Sequence, residues 1–158
     1  GKKGVMLGAV GKKVIGNAPC KVLVIPMGAT LNFERILIAT DGSVYSQIAA
    51  AEAIGAAKRF GSELIIVSVS KRDENIPYAE ESVKMVKEAA EREGVKIQTV
   101  VTKGEPFEQI VDVANKNAVG LIVMGTYGKT GIEKFFMGSV AERVIGTSAR
   151  PVMVVRKK

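Results

Sequence analysis

The sequence predicts an α/β fold: an open, doubly wound, mostly parallel sheet of five strands, with an extra N-terminal helix and strand at its edge. Two observations predict it. Short apolar runs rich in β-branched residues alternate along the chain with helical patterns of ten or more residues. Such alternation implies right-handed crossovers and a sheet covered on both faces. The first 26 residues, finally, repeat the end of the chain.

The runs at 35–40, 63–70, 121–125 and 151–155 read as strands buried on both faces. A fifth, at 96–102, alternates polar and apolar residues and suits an edge. Between them, residues 43–60 are alanine-rich, with Ile48, Ala51, Ile54 and Ala57–Lys58 on a helical period and Gly61 as the stop. Residues 78–93 place Val83, Val86 and Ala90 on one face and end at Gly94. Residues 106–117 carry Ile110, Val113 and Ala114 inward, and Pro106 suits the first turn, where its missing N–H costs nothing. Residues 140–148 make a short last helix. Ligands of such sheets bind beyond the carboxyl ends of the strands, where the winding reverses.

Shifting the N-terminus by 130 positions lays Gly8 and Val10 on Gly138 and Val140, Val14-Ile15-Gly16 on Val144-Ile145-Gly146, and Val22 and Val24 on Val152 and Val154. Eight identities in one ungapped run of 26 positions, all in matching structural roles, favour a true repeat over chance. Residues 1–33 are therefore expected to be a partial copy of the last helix and strand, with 27–33 as linker, and 34–158 the main domain. Residues 21–26 are expected to pair as a strand beside 151–155.

Composition excludes several classes. With 47% hydrophobic residues the chain can bury a core. No apolar run approaches the roughly 18 residues of a membrane span, and the N-terminus lacks a secretory pattern. A single cysteine, Cys20, excludes an intrachain disulfide and a cysteine metal cage, so a reducing cytoplasm is expected. With no histidine in the chain, Ser-His-Asp and Cys-His mechanisms are impossible. The net charge of +7 is concentrated in residues 1–33, which hold five lysines and no acid; the remainder has 18 bases against 16 acids. That segment is either a solvated lysine face or a patch for an anionic surface or nucleic acid.

The strongest chemical signal is Gly125-Thr-Tyr-Gly128, followed after nine residues by Gly138-Ser139 at a helix start. Glycines let backbone N–H groups approach an anion closely, and a helix N-terminus favours phosphate. The competing reading is structural: the glycines shape a turn and Ser139 caps the helix. Gly128-Lys129-Thr130 resembles the tail of a Walker loop, but its first glycine stands too near and no helix follows directly. Lys129 and Lys134 are phosphate-facing point charges or solvated loop lysines. At the end of the first main-domain strand, Ala39-Thr40-Asp41 precedes a glycine turn. Ser43 suits the helix cap there, which leaves Asp41 at the strand tip for a ligand.

These residues resemble the universal stress proteins. Residues 36–43, Ile-Leu-Ile-Ala-Thr-Asp-Gly-Ser, look like their opening strand, and the glycine spacing from Gly125 to Ser139 matches their ATP-binding class without a gap. The resemblance spans about residues 34–156. It implies a flavodoxin-like strand order 3-2-1-4-5 and ATP, or ADP or AMP, with Mg2+, at the strand tips. It implies Ala39, Thr40 and Asp41 near ribose and adenine, Val69 along the adenine slot and Met124 beside the base. Gly125, Gly128, Gly138, Ser139 and Val140 would contact phosphates and ribose. It also implies homodimers joined through the last strand. Ser68 departs from the pattern, because many members carry histidine there.

The function expected is a nucleotide-dependent stress or signalling module with at most slow hydrolysis, with no catalytic or metal-ligating residue assigned. The alternatives are an ATPase or nucleotidyl-transfer enzyme on this fold, or an adaptor working through the basic N-terminal segment.

Overall fold

The computed structural model describes residues 21–126 and 138–156. The expected N-terminal helix, Cys20, Tyr127, Gly128, Lys129 and Lys134 lie outside the described residues. In chain order the elements are β1 (Val22–Val24), β2 (Arg35–Ala39), α1 (Val44–Phe60), β3 (Glu63–Ser70), α2 (Ile76–Arg92), β4 (Lys96–Lys103), α3 (Pro106–Lys116), β5 (Leu121–Gly125), α4 (Ser139–Thr147) and β6 (Val152–Val155). They build one six-stranded sheet of order β1-β6-β5-β2-β3-β4. Counted within the main domain this is the expected 3-2-1-4-5.

All main-domain pairings are parallel: β2 with β3 and β5, β3 with β4, and β5 with β6. Alternate residues of each strand enter opposite cores. Ile36, Ile38, Leu64, Ile66 and Val123 meet Ala49, Ala53, Ile54 and Ala57 of α1 and Val83, Val86 and Ala90 of α2. Leu37, Ile65, Ile122 and Val152 meet Ile110, Val113 and Ala114 of α3 and Ala141, Val144 and Ile145 of α4. Burying each large aliphatic side chain stabilises by about 1.5–3 kcal/mol. These two layers hold the fold.

The expected helices form, with two differences. The buried face of α1 runs through Ala49, Ala50, Ala53, Ile54 and Ala57, whereas Ala51 and Lys58 face solvent. An alanine-rich helix offers little contrast between faces, so its sequence points weakly inward. Helix α2 starts at Ile76, earlier than the expected Tyr78, because Pro77 fits the first turn, where its missing N–H has no helical partner to lose. Helix α1 starts from the expected cap: the Ser43 hydroxyl accepts from Ser46 N–H at 3.2 Å. It ends at Gly61 in the left-handed conformation, φ 67°. Lys58 Nζ donates to Glu93 Oε2 at 2.8 Å, joining the ends of α1 and α2. That hydrogen bond and charge hold the Glu93 carboxyl below its ordinary pKa.

Strand β1 pairs antiparallel with β6, as the repeat predicts, with Val22 opposite Val154, Leu23 opposite Met153 and Val24 opposite Val152. Val22 and Val24 are half-buried against the α3–α4 core. Residues 27–33 are more than a tether. Leu31 and Phe33 pack against the α1–α2 core, and the Phe33 and Phe60 rings stack with centroids 4.3 Å apart. Among the described residues no helix is long and apolar enough to cross a membrane.

Candidate functional site

Helices α1 and α2 cover one face and α3 and α4 the other, so the winding reverses between β2 and β5. A cleft must open beyond the carboxyl ends of that pair. It does, with a volume of about 320 Å³.

Three segments build it. The first is the tip of β2. Thr40 N–H donates to Val67 O at 2.9 Å, which prolongs the sheet hydrogen bonding past Ala39. The Ser46 hydroxyl donates to Ser43 O at 2.9 Å, so its 3.1 Å contact with Thr40 is a bond donated by the Thr40 hydroxyl. Gly42 N–H in turn donates to Thr40 Oγ1 at 3.3 Å. Asp41 Oδ1 accepts from Ser43 N–H at 3.0 Å. This chain of small polar groups holds the strand tip in one conformation and leaves the half-buried Asp41 at the cleft wall.

The second segment is the end of β5. Met124 and Gly125 line the cleft, and Thr126 is fully buried beneath it. Thr126 donates twice to Val155 O, from its hydroxyl at 2.9 Å and its N–H at 3.1 Å. Thr126 O accepts from Gly138 N–H at 2.6 Å. One residue therefore fastens β5 to β6 and to the start of α4. Gly125 is a packing glycine: a Cβ there would lie 2.9 Å from the Tyr45 backbone carbonyl, at the start of α1. Gly125→Ala is expected to cost about 1–3 kcal/mol through overpacking, read as a lower urea midpoint. An unchanged midpoint would contradict this close approach.

The third segment is the N-terminus of α4. Its cap position is Gly138, in extended geometry, with no side-chain hydrogen bond to the first turn. The first N–H groups of a helix have no intrahelical partner, and here Gly138, Ser139, Val140 and Ala141 border the cleft.

The structure thus brings together Ala39, Thr40, Asp41, Val69, Met124, Gly125, Gly138, Ser139 and Val140 around one cleft. Gly128 and Lys129 belong to the span outside the described residues. Ser46, Lys71, Pro106, Ile110, Thr126 and Ala141 complete the lining; none was named as a site residue in the sequence, where Pro106 and Ile110 were read only as helix start and core. Lys71 lies just beyond the carboxyl end of β3, the position that parallel-sheet geometry favours, and that signal identifies it. Its Nζ lies 3.9 Å from Glu105 Oε1, which also faces Arg143 at 3.7 Å. A second hollow, of about 430 Å³, adjoins the cleft through Asp41, Val69, Lys71 and Pro106. The buried Ser68, Ser70 and Ser82 line it.

Known proteins resemble this chain. The model of the universal stress protein family matches residues 32–156. Universal stress protein MJ0531 of Methanocaldococcus jannaschii is 41% identical over 145 residues, covering 79% of this chain and 83% of its own. A universal stress protein solved in complex with cAMP superposes with a TM-score of 0.67 at 25% identity, over 78% of this chain and 97% of its own. One from Archaeoglobus fulgidus shares the fold at a TM-score of 0.74 and 24% identity, over 92% of this chain but only 53% of its own. The chain belongs to the universal stress protein family.

Proposed function

We propose that the cleft binds ATP, with Mg2+, and that the protein acts as a nucleotide-dependent stress-response or signalling module in the cytoplasm. The observation that carries this reading is the start of α4. A helix N-terminus whose cap supplies no side chain opens into a cleft whose lining also includes the apolar Ala39, Val69 and Met124. Orphan N–H groups and the helix dipole favour phosphate there. Ala39, Val69 and Met124 offer an apolar slot for a base, and Asp41 stands where it can accept from ribose hydroxyls. The binding of cAMP by a relative of this fold supports an adenine nucleotide. Gly128 and Lys129, in the span between β5 and α4, are assigned to the phosphates from the sequence alone.

Hydrolysis is proposed to be slow at most. The chain has no histidine, and Asp41, the acid of the motif, is assigned to the ribose end. Turnover of Mg-ATP is expected far below the usual enzymatic range of about 1–1,000 per second. A rate within that range would favour an ATPase.

Ser139→Ala is expected to weaken ATP by about 1–2 kcal/mol, the scale of a hydrogen bond to a charged group. Calorimetric titration checks it, and adenosine affinity should not change. For assembly, β1 already lies along the outer edge of β6. A homodimer through the last strand is therefore proposed only in an exchanged form, with β1 of each chain on β6 of the other.

A further inference from the structure

The second hollow, of about 430 Å³, has no part in the nucleotide site described above. It lies on the other face of β3. Leu64 and Ile66 belong to the α1–α2 core, whereas Ile65 and Val67 belong to the α3–α4 core. Alternation along the strand therefore turns Ser68 and Ser70 towards α2, and Val69 towards the first cleft. Ser82 of α2 lines the same hollow. Three buried serines thus meet where the strand face lower down is filled by Leu64 and Ile66.

Two of the three hydroxyls are engaged within the chain. Ser70 donates to Arg72 O at 2.6 Å, and Ser82 donates to Tyr78 O at 2.9 Å. Ser68, only 3% exposed, makes no hydrogen bond among the described residues. Among those residues no side-chain polar atom sealed from solvent lacks a partner, so the Ser68 hydroxyl is reached from the hollow. Buried polar groups are hydrogen-bonded as a rule. The partner of this hydroxyl has to come from the hollow.

The hollow meets the first cleft along Asp41, Val69, Lys71 and Pro106. With Val69 beside the base and Asp41 on the ribose hydroxyls, that junction lies at the ribose. Its two charged residues, Asp41 and Lys71, are of opposite sign, and Lys71 faces Glu105 at 3.9 Å. Among the described residues the hollow offers no surplus of positive charge for a further phosphate. Its floor of hydroxyls suits an uncharged polar group instead.

We propose that this hollow is a subsite for an uncharged acyl group carried on the ribose of the nucleotide, its carbonyl accepting from the Ser68 hydroxyl. One of the two vicinal ribose hydroxyls bears the group, and the other still donates to Asp41. This rests on the nucleotide reading of the first cleft and narrows the class of nucleotide it takes.

The probe is ATP carrying an N-methylanthraniloyl ester on its ribose, titrated by fluorescence beside unmodified ATP titrated by calorimetry. The ester is expected to bind at least about threefold more tightly than ATP. Ser68→Ala is expected to weaken the ester by about three- to tenfold, the scale of one neutral hydrogen bond, and to leave ATP within about twofold. Ser68→Leu, which fills the hollow, is expected to weaken the ester at least about tenfold with ATP again little changed. Melting temperatures identify a folding defect, and Ser68→Ala, which removes a single oxygen, decides the matter where leucine is not tolerated. The proposal is overturned if ATP binds and the ester binds no more tightly, or if the Ser68 variants weaken both ligands alike or neither. Failure of ATP itself to bind would remove the nucleotide reading, and the subsite with it.

Discussion

Gly138→Val is expected to abolish ATP binding in a protein that remains folded. The backbone at Gly138 has φ −68° and ψ 151°, a conformation valine adopts without strain. The backbone conformation therefore does not require glycine at this position. What glycine provides is access: it caps α4 at the cleft, and a branched Cβ would stand before the first-turn N–H groups. Affinity should fall at least about a hundredfold, or roughly 3 kcal/mol, with an unchanged circular dichroism spectrum. Gly128→Val should act in the same direction. A folded Gly138→Val protein that titrates with the original affinity would remove the phosphate role of α4.

Deleting residues 1–30 is expected to open the outer edge of β6 and drive the protein to a new dimer or to aggregation. Val22 and Val24 are half-buried against the α3–α4 core, and their loss costs about 2 kcal/mol. Lys21 Nζ, which reaches Glu52 Oε2 of α1 at 2.9 Å, is lost as well, though such an exposed pair contributes little. The melting temperature should drop by about 5 °C. The larger effect is the apolar edge of β6 itself, with its unpaired N–H and C=O groups. Size-exclusion chromatography with light scattering reads the outcome. A truncated protein that keeps the oligomeric state and melting temperature of the full chain would show that β1 contributes nothing to the sheet.

The parts of the fold that the sequence displays are those where one interaction dominates. Ile36 to Ile38, Leu64 to Val67 and Leu121 to Val123 are buried on both faces, so an uninterrupted apolar run was enough to place β2, β3 and β5. The Ser43 cap and Pro106 were readable because a local backbone demand selects the residue. The face of α1 was not, because alanine fits inside and outside alike; Ala51 and Ala53 differ in burial but not in chemistry. Strand β1 has three residues and no strong local signal, and only the repeat revealed it. Within the cleft, Asp41 and the glycines could be named from strand-end position and spacing, whereas Thr40, Val69, Met124 and Val140 were named only through the family resemblance. Thr126 could not, since its work is tertiary: it fastens Val155 and Gly138, each distant along the chain. Pro106 enters from a separate crossover and meets the cleft only through the folded topology.

The measurement that tests the central claim most directly is a titration of the full chain with Mg-ATP, followed by backbone amide chemical shifts. The account predicts saturable binding, with the largest shifts at Ser139, Val140 and Ala141 and a second group at Thr40, Asp41 and Val69. Adenosine should move the second group and leave the α4 amides nearly still. Saturable ATP binding whose shifts bypass α4, or no binding at millimolar ATP, would contradict it.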